Sequence, residues 1–238
     1  MNKLAIFAEG QTEEIFAQHL VSFLGSDIEL DIQIERVSGG RGSRNRVIQL
    51  RAAGDSRDFF VLIVTCGQDD HVKSDLLDRY QGLVDAGYNK IVAIKDLFPK
   101  PREEEELVRE GFEILLPVKP VHPVLVLAVM EIEAWFLAEH THFNQIRQDL
   151  TMDLICTKLG FDPSVDDMQN REHPANDLEN AYFLVLLNYH KTRAHVERTV
   201  DAIDFPSITT DVANKFRDLE RLIELIRSFF GSSVQPET

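Results

Sequence analysis

Cysteine is nearly absent from this chain of 238 residues, and Cys66 and Cys156 stand far apart with no C-x-x-C. That excludes a disulfide framework and a cysteine zinc site, and makes redox chemistry an unpromising class. No stretch of about eighteen uncharged apolar residues occurs, which excludes a helical membrane span. Basic residues are outnumbered, 25 Lys and Arg against 40 Asp and Glu, for a net charge of −15. Such a field repels polyanions and attracts divalent cations, which disfavours a generic nucleic-acid coat protein. The opening Met1 to Phe7 enters a short apolar run and reaches Glu9. The longer apolar segment and small-residue cleavage site of a secretory signal are missing there, so a cytoplasmic chain is expected.

Several catalytic signatures are missing as well. The eight histidines show no H-E-x-x-H spacing, and His140 and His142 are too close to share a helix face, so zinc hydrolysis is not expected. Ser22, Ser38 and Ser43 lack a G-x-S-x-G elbow. Gly39-Gly40-Arg41-Gly42 lacks the G-K-[ST] that a P-loop needs.

What is present is a hydrophobic content of 44%, enough for a sizeable core in one large domain or one domain with a smaller appendage. Leu4 to Ala8 reads as a buried strand, Thr12 to Leu24 as an amphipathic helix and Ile28 to Val37 as a second strand, a β-α-β opening. A short helix through Val47, Ile48 and Leu50 is expected next. The unbroken apolar run Phe59 to Val64 then fits a strand covered on both faces. Val72 to Ala86 reads as a helix that Gly87 can end, Lys90 to Ile94 as a strand stopping at Asp96 and Pro99, and Glu103 to Arg109 as a short acidic helix. Phe112 to Leu116 is strand-like, and Val124 to Val129 supplies a further strand after three prolines. This alternation predicts an α/β fold with a mostly parallel sheet flanked by helices.

From Glu131 onward the pattern turns helical, through Leu150 to Leu159, Leu178 to Tyr189, Arg193 to Ile203 and Thr210 to Phe230. The expected organisation is an α/β core over residues 1–130, a helical C-terminal extension over 131–231 and a tail over 232–238. The polar stretch Asp162 to Asn176 reads as a mobile loop.

In parallel α/β sheets ligands bind beyond the carboxyl ends of the strands, so polar residues that directly follow apolar runs are the candidates: Glu9, Asp69, Asp70 and Asp96. Glu9 ends a strand and Glu13 begins the next helix, with Gly10 and Thr12 allowing a tight turn and N-cap between them. Their carboxylates can converge on one hard cation such as Mg²⁺ or Mn²⁺, which takes oxygen ligands and needs neither histidine nor cysteine. The alternative is structural: Glu13 favours the positive helix N-terminus and Asp96 caps the turn before Pro99. In Met130 to Glu139, acidic residues interrupt an apolar stretch. A carboxylate buried there demands water, an arginine or a metal. Glu133 is the preferred ligand of that segment, and the alternative is that Glu131 and Glu133 only begin a helix. Arg36, Arg41, Arg44, Arg46, Arg51 and Arg57, opposed only by Asp55, form one basic stretch. It suits a phosphate backbone, with Arg41, Arg44 and Arg46 as the named contacts, or else pairs with surface acids. In Tyr189-His190-Lys191 a cation can stand near phosphate, or form an ordinary surface pair.

Ala8-Glu9-Gly10-Gln11-Thr12-Glu13 after a hydrophobic first strand resembles the E-G-x-T-E opening of Toprim-like proteins. These are the metal-dependent catalytic domains of topoisomerases, primases and the overcoming-lysogenization-defect nucleases. Met130 to Leu137, His173-Pro174-Ala175-Asn176-Asp177-Leu178, Tyr189-His190-Lys191-Thr192 and Phe216 resemble an uncharacterised bacterial Toprim-like family of unknown function, so the likeness spans most of the chain. The resemblance implies that Glu9 and Glu13 bind a divalent cation and that Glu9 serves in proton transfer during phosphodiester chemistry. The family's D-x-D falls, by strand order, after Phe59 to Val64, where this chain reads Thr65-Cys66-Gly67-Gln68-Asp69-Asp70. The next strand offers Asp96-Leu97-Phe98. Either the ligands have shifted, with Asp69, Asp96 and Glu133 completing the centre and Asp96 joining Glu9 as a catalytic residue, or the centre is degraded. Related proteins often operate with an ATPase in phage defence, which implies such a partner beside a nucleic-acid substrate. The competing class is a non-catalytic nucleotide- or protein-binding module on the same fold.

Overall fold

The computed structural model describes residues 1–38, 45–52, 58–67 and 71–231. β1 (Asn2–Ala8) leads into α1 (Gln11–Leu24), β2 (Leu30–Ser38), β3 (Asn45–Ala52) and β4 (Phe59–Thr65). Then follow α2 (Val72–Asp85), β5 (Lys90–Asp96), α3 (Glu105–Glu113) and β6 (Val124–Ala128). The remainder is helical: α4 (Glu133–Ala138), α5 (Thr141–Ile146), α6 (Met152–Leu159), α7 (Pro174–Phe183), α8 (Arg193–Ala202), the short α9 (Phe205–Ser207) and α10 (Arg217–Gly231). The strands form one six-stranded sheet in the order β3-β2-β4-β1-β5-β6. Five strands are parallel, and β3 pairs with β2 in the antiparallel sense at the edge. The α/β class, the mostly parallel sheet and the helical C-terminal stretch are those expected. Among the described residues no helix is long and apolar enough to cross a membrane.

The chain divides into two compact units. The first comprises Met1–Lys95, Glu106–Leu127 and the chain from Arg221; the second comprises Asp96–Glu105 and Ala128–Glu220. In place of one boundary near 130, the segment after β5 groups with the helices and the last turns of α10 group with the sheet.

In the first unit the central strands are buried on both faces. Leu4, Ala5, Ile6, Phe7 and Ala8 are all 0% exposed, which is why β1 reads as a continuous apolar run. α1 lies against β1 and β4, and α2 against β1, with Ile15, Phe16, Leu20 and Val21 on the buried side of α1. Phe229 and Phe230 of α10 meet Phe59 edge-on, each with ring centroids 5.4 Å apart. Gly25 ends α1 beneath them: a Cβ there would lie 2.9 Å from Phe230 Cζ, so packing, not backbone conformation, requires glycine. Two carboxylates enter this unit with partners. Glu14 accepts from Thr65 Oγ1 and lies 3.3 Å from Arg36, and Glu35 lies 2.8 Å from Arg79.

Two expected elements differ. The stretch through Val47, Ile48 and Leu50 is not a helix but the strand β3. Its backbone pairs with β2 from Ile32↔Ala52 to Ser38↔Asn45, around an irregularity at Ile34/Glu35. Pairing with an otherwise open edge satisfies backbone groups that a short helix would leave without partners. Phe112 to Leu116 is not a strand. α3 runs to Glu113, and the chain then turns with Leu115 in the left-handed region at φ 65°. Ile114 and Leu115 are 61% and 85% exposed while Phe112 and Leu116 are buried, the pattern of a helix end and turn and not of a strand covered on both faces.

In the second unit α4 packs against α7, and α5 against α8, around buried Trp135, Phe136, Phe143, Tyr182 and Tyr189. α7 starts earlier than expected because Pro174 suits the first helical turn. It also stops earlier, before Leu186 at φ 60°. The Thr210 to Phe230 helix is interrupted by a π turn at Ile208–Val212 and a 3-10 turn at Ala213–Lys215 before α10 begins. Asp162 to Asn176 holds a 3-10 turn at Met168–Asn170 and the start of α7. Glu139, 1% exposed, accepts from the backbone N–H groups of Thr141 and His142 at the start of α5. Burial pushes its carboxyl up, but hydrogen bonds from His142 and Thr141 outweigh this and hold it below the ordinary glutamate value.

Gly25→Ala is expected to cost about 1–3 kcal/mol through overpacking against Phe230, and Gly25→Ala with Phe230→Leu should recover part of that. Urea unfolding of the two variants checks this; equal loss in both would place the cost elsewhere.

Candidate metal centre

Three carboxylates meet inside the second unit. Asp96 is the last residue of β5, and Glu131 and Glu133 follow β6 at the start of α4. One oxygen of each lies within 4.8 Å of those of the other two. The residues are 6%, 7% and 0% exposed. Chain ends of strands commonly deliver ligands in this way, but the turn after β6 is unusual. Met130 sits in the left-handed region at φ 64°, a costly conformation for a residue with a side chain. Two residues on, the N–H of Ile132 donates to Asp96 Oδ1 at 2.9 Å.

Each carboxylate is held by a neighbour. Ala175 N–H, in the first turn of α7, donates to Glu131 Oε2 at 3.0 Å, where an unsatisfied helix N-terminus favours negative charge. Tyr189 Oη donates to Glu133 Oε1 at 2.9 Å. Lys191, itself at φ 49°, places Nζ 3.0 Å from Glu131 Oε1 and 3.1 Å from Glu133 Oε2. The second contact is the one partner shown for the buried Glu133 Oε2, and it is an ion pair. Three buried carboxylates this close repel one another, and burial raises the cost of keeping each of them ionised. The carboxyl of Glu133 responds by shifting above its ordinary value. Burial is the main cause; the Lys191 charge opposes it, and the Glu131 charge adds to it.

Of the expected ligands, this cluster brings together Asp96 and Glu133. Glu131, passed over in favour of Glu133, is the third member. Glu9 and Glu13 belong to the first unit. Glu9 Oε2 lies 3.5 Å from Lys95. Glu13 Oε2 accepts the Gly10 N–H at 2.8 Å at the start of α1, a structural role at the positive helix N-terminus of the kind weighed for it. Asp69, Arg41 and Arg44 lie outside the described residues. Arg46 is on β3 opposite Val37, and Arg36 at the edge of the basic stretch pairs with Glu14.

No protein-family model matches this chain, and neither a curated protein nor a solved structure matches it.

The donor set suits a hard cation: all three donors are oxygens and they are mutually close. Lys191→Met should lower stability in chelator by about 1–3 kcal/mol, less than for a fully buried pair because the lysine side chain is 38% exposed. Mn²⁺ should restore most of the loss, read from urea midpoints with and without the ion; a loss untouched by Mn²⁺ would argue against ion binding. Because the folded carboxyl of Glu133 is raised, ionising it costs stability. Its contribution is complete below the unfolded glutamate value and is lost as pH rises through the higher folded value. The stability of Glu133→Gln relative to the native chain should therefore increase as pH is raised above the ordinary glutamate range, and parallel pH profiles would contradict that.

Proposed function

We propose that this chain is a Mg²⁺- or Mn²⁺-dependent nuclease or phosphotransfer protein of Toprim-like type, with the cation held by Asp96, Glu131 and Glu133. The observation that carries the proposal is the convergence of three buried carboxylate oxygens within 4.8 Å of one another. A divalent cation held there supplies charge stabilisation for phosphoryl oxygens. The chain's own groups do the positioning: Ile132 N–H orients Asp96, Ala175 N–H orients Glu131 and the Tyr189 hydroxyl orients Glu133. Such supporting contacts set both ligand direction and basicity. Lys191 offers an ammonium beside the same carboxylates, suited to a phosphate oxygen. The Toprim resemblance adds proton transfer by Glu9, a nucleic-acid substrate met by the arginine stretch and a cytoplasmic role in phage defence with an ATPase partner.

Lys191 also favours a second reading. An ammonium 3.0 and 3.1 Å from two of the three acids already supplies a counter-charge, as in a non-catalytic binding module whose carboxylates are structural.

Cleavage of single-stranded DNA, duplex DNA and RNA in Mn²⁺ separates the two. The enzyme reading expects cutting that Asp96→Asn, Glu133→Gln and Glu9→Ala each abolish while the variants stay folded. Absence of cutting on all three substrates, or cutting that survives Asp96→Asn and Glu133→Gln, favours the binding module.

A further inference from the structure

The second unit contains a cavity of about 390 Å³, at the small end of the range for ligand sites. Its walls come from the segment after β5, Phe98 to Glu103, and from the segment that leads into α7, Asn170 to His173. The buried Met130 adds an apolar surface. The two walls are fixed to each other. Arg102 donates through Nη1 to Asn170 Oδ1 at 2.8 Å and through Nη2 to the Gln169 carbonyl, while Pro99 and Pro101 restrict the backbone on the other side. The Phe98 and His173 rings meet edge to face with centroids 5.3 Å apart. The opening is therefore set by the fold and needs no ligand to form it.

The same three segments deliver the carboxylate cluster. Asp96 stands two residues before Phe98, Glu131 directly follows Met130, and Ala175, whose N–H donates to Glu131, stands two residues after His173. The Phe98 N–H donates to the Met130 carbonyl at 2.8 Å, which joins two of these segments beside the acids. Consecutive Cα atoms are about 3.8 Å apart, so Met130 stands about 3.8 Å from Glu131, and Phe98 at most about 7.6 Å from Asp96, Cα to Cα. A nucleotide, whose base is one sugar away from its phosphate, covers such a separation.

The two places differ in chemistry. A cation at the cluster attracts an anionic oxygen group. The cavity does not: among its charged side chains Lys100 and Arg102 balance Glu103 and Glu172, and Arg102 is already committed to Asn170 and Gln169. It offers an aromatic surface instead, because Phe98 is held by His173 and is still 37% exposed. The exposed carboxylates of Glu103 and Glu172 stand at its edge. Flat rings stack on exposed aromatic side chains, and carboxylates accept hydrogen bonds from the amino groups of bases.

We propose that this cavity receives an unpaired nucleobase, stacked on Phe98, whose phosphate lies at the cation held by Asp96, Glu131 and Glu133. The assignment rests on the proposed metal-dependent function for the phosphate and on the cavity for the base. Free nucleotides and the unpaired positions of a single strand share this chemistry. A base inside a duplex does not, because its faces are stacked and its edge is paired.

Calorimetric titration of the full chain in Ca²⁺ tests it, with adenosine and cytidine monophosphates, single-stranded oligonucleotides of DNA and RNA, and the blunt DNA duplex of the same sequence. Saturable binding is expected for a monophosphate if the ligand is a free nucleotide, and for a single strand alone if neighbouring nucleotides contribute. The duplex should bind at least tenfold more weakly than the better of these. Phe98→Ala should weaken binding at least fivefold. Phe98→Trp should retain it, and the emission it adds to that of the buried Trp135 should be quenched on saturation, as stacking requires. Circular dichroism checks that both variants are folded. No binding of any monophosphate or single strand at millimolar concentration, a duplex that binds as tightly, or undiminished binding by folded Phe98→Ala would overturn the proposal. Titration with Mn²⁺ alone, and cutting, report on the metal centre separately. Saturable Mn²⁺ binding without Phe98-dependent nucleotide binding overturns the base site and spares the centre, whereas Phe98-dependent binding in a chain that never cuts supports the base site and removes the nuclease.

Discussion

Burying like charges together is the most expensive arrangement in this protein, and the second unit is organised around doing so. Asp96, Glu131 and Glu133 arrive from two chain segments and are buried within hydrogen-bonding distance of donors from two more. An isolated carboxylate in such a place would protonate or pull in water. Here the backbone accepts left-handed conformations at Met130 and Lys191, on the segments that deliver Glu131 and the ammonium. Strain of that kind persists where the surroundings over-determine it. A helix N-terminus, a tyrosine hydroxyl and a lysine together explain how the cluster can exist in the folded chain. The mutual repulsion of the three acids is what a divalent cation would relieve.

The first unit solves the same problem differently. Glu14 and Glu35 are buried singly, each beside one arginine and one uncharged donor, so neither leaves a large local excess. The two units thus hold buried acids differently: gathered at one centre in the second, and set beside arginines in the first.

Much of the sheet was legible because parallel strands covered on both faces are written as apolar runs, as in Phe59 to Val64 and Val124 to Ala128. β3 was not, because its conformation depends on hydrogen bonds to β2 and the local spacing of Val47, Ile48 and Leu50 fits a short helix as well. Phe112 to Leu116 misled for the converse reason: Phe112 and Leu116 are buried from the end of α3 and the turn after it while Ile114 and Leu115 are exposed, so an apolar run implied a strand where a helix end and a turn supply the burial. In the candidate centre, Asp96 and Glu133 stood out as acids directly after or within apolar segments. Glu131 carried the same signal two residues earlier, but i and i+2 positions do not share a helix face. Only the turn preceding α4 lets both point inward. The pairing of Lys191 with these acids had no local signal, since it is a contact between segments remote in sequence. A structural place for Glu13 at the start of α1 was legible as an alternative, because a carboxylate suits the positive end of a helix.

The most direct measurement is the anomalous diffraction of a crystal soaked in Mn²⁺. A metal-binding centre predicts a peak within coordination distance of Asp96, Glu131 and Glu133, with Lys191 displaced from at least one of its two acids. A map without a peak there, in which Lys191 still bridges Glu131 and Glu133, would contradict it and leave the cluster as a structural ion pair.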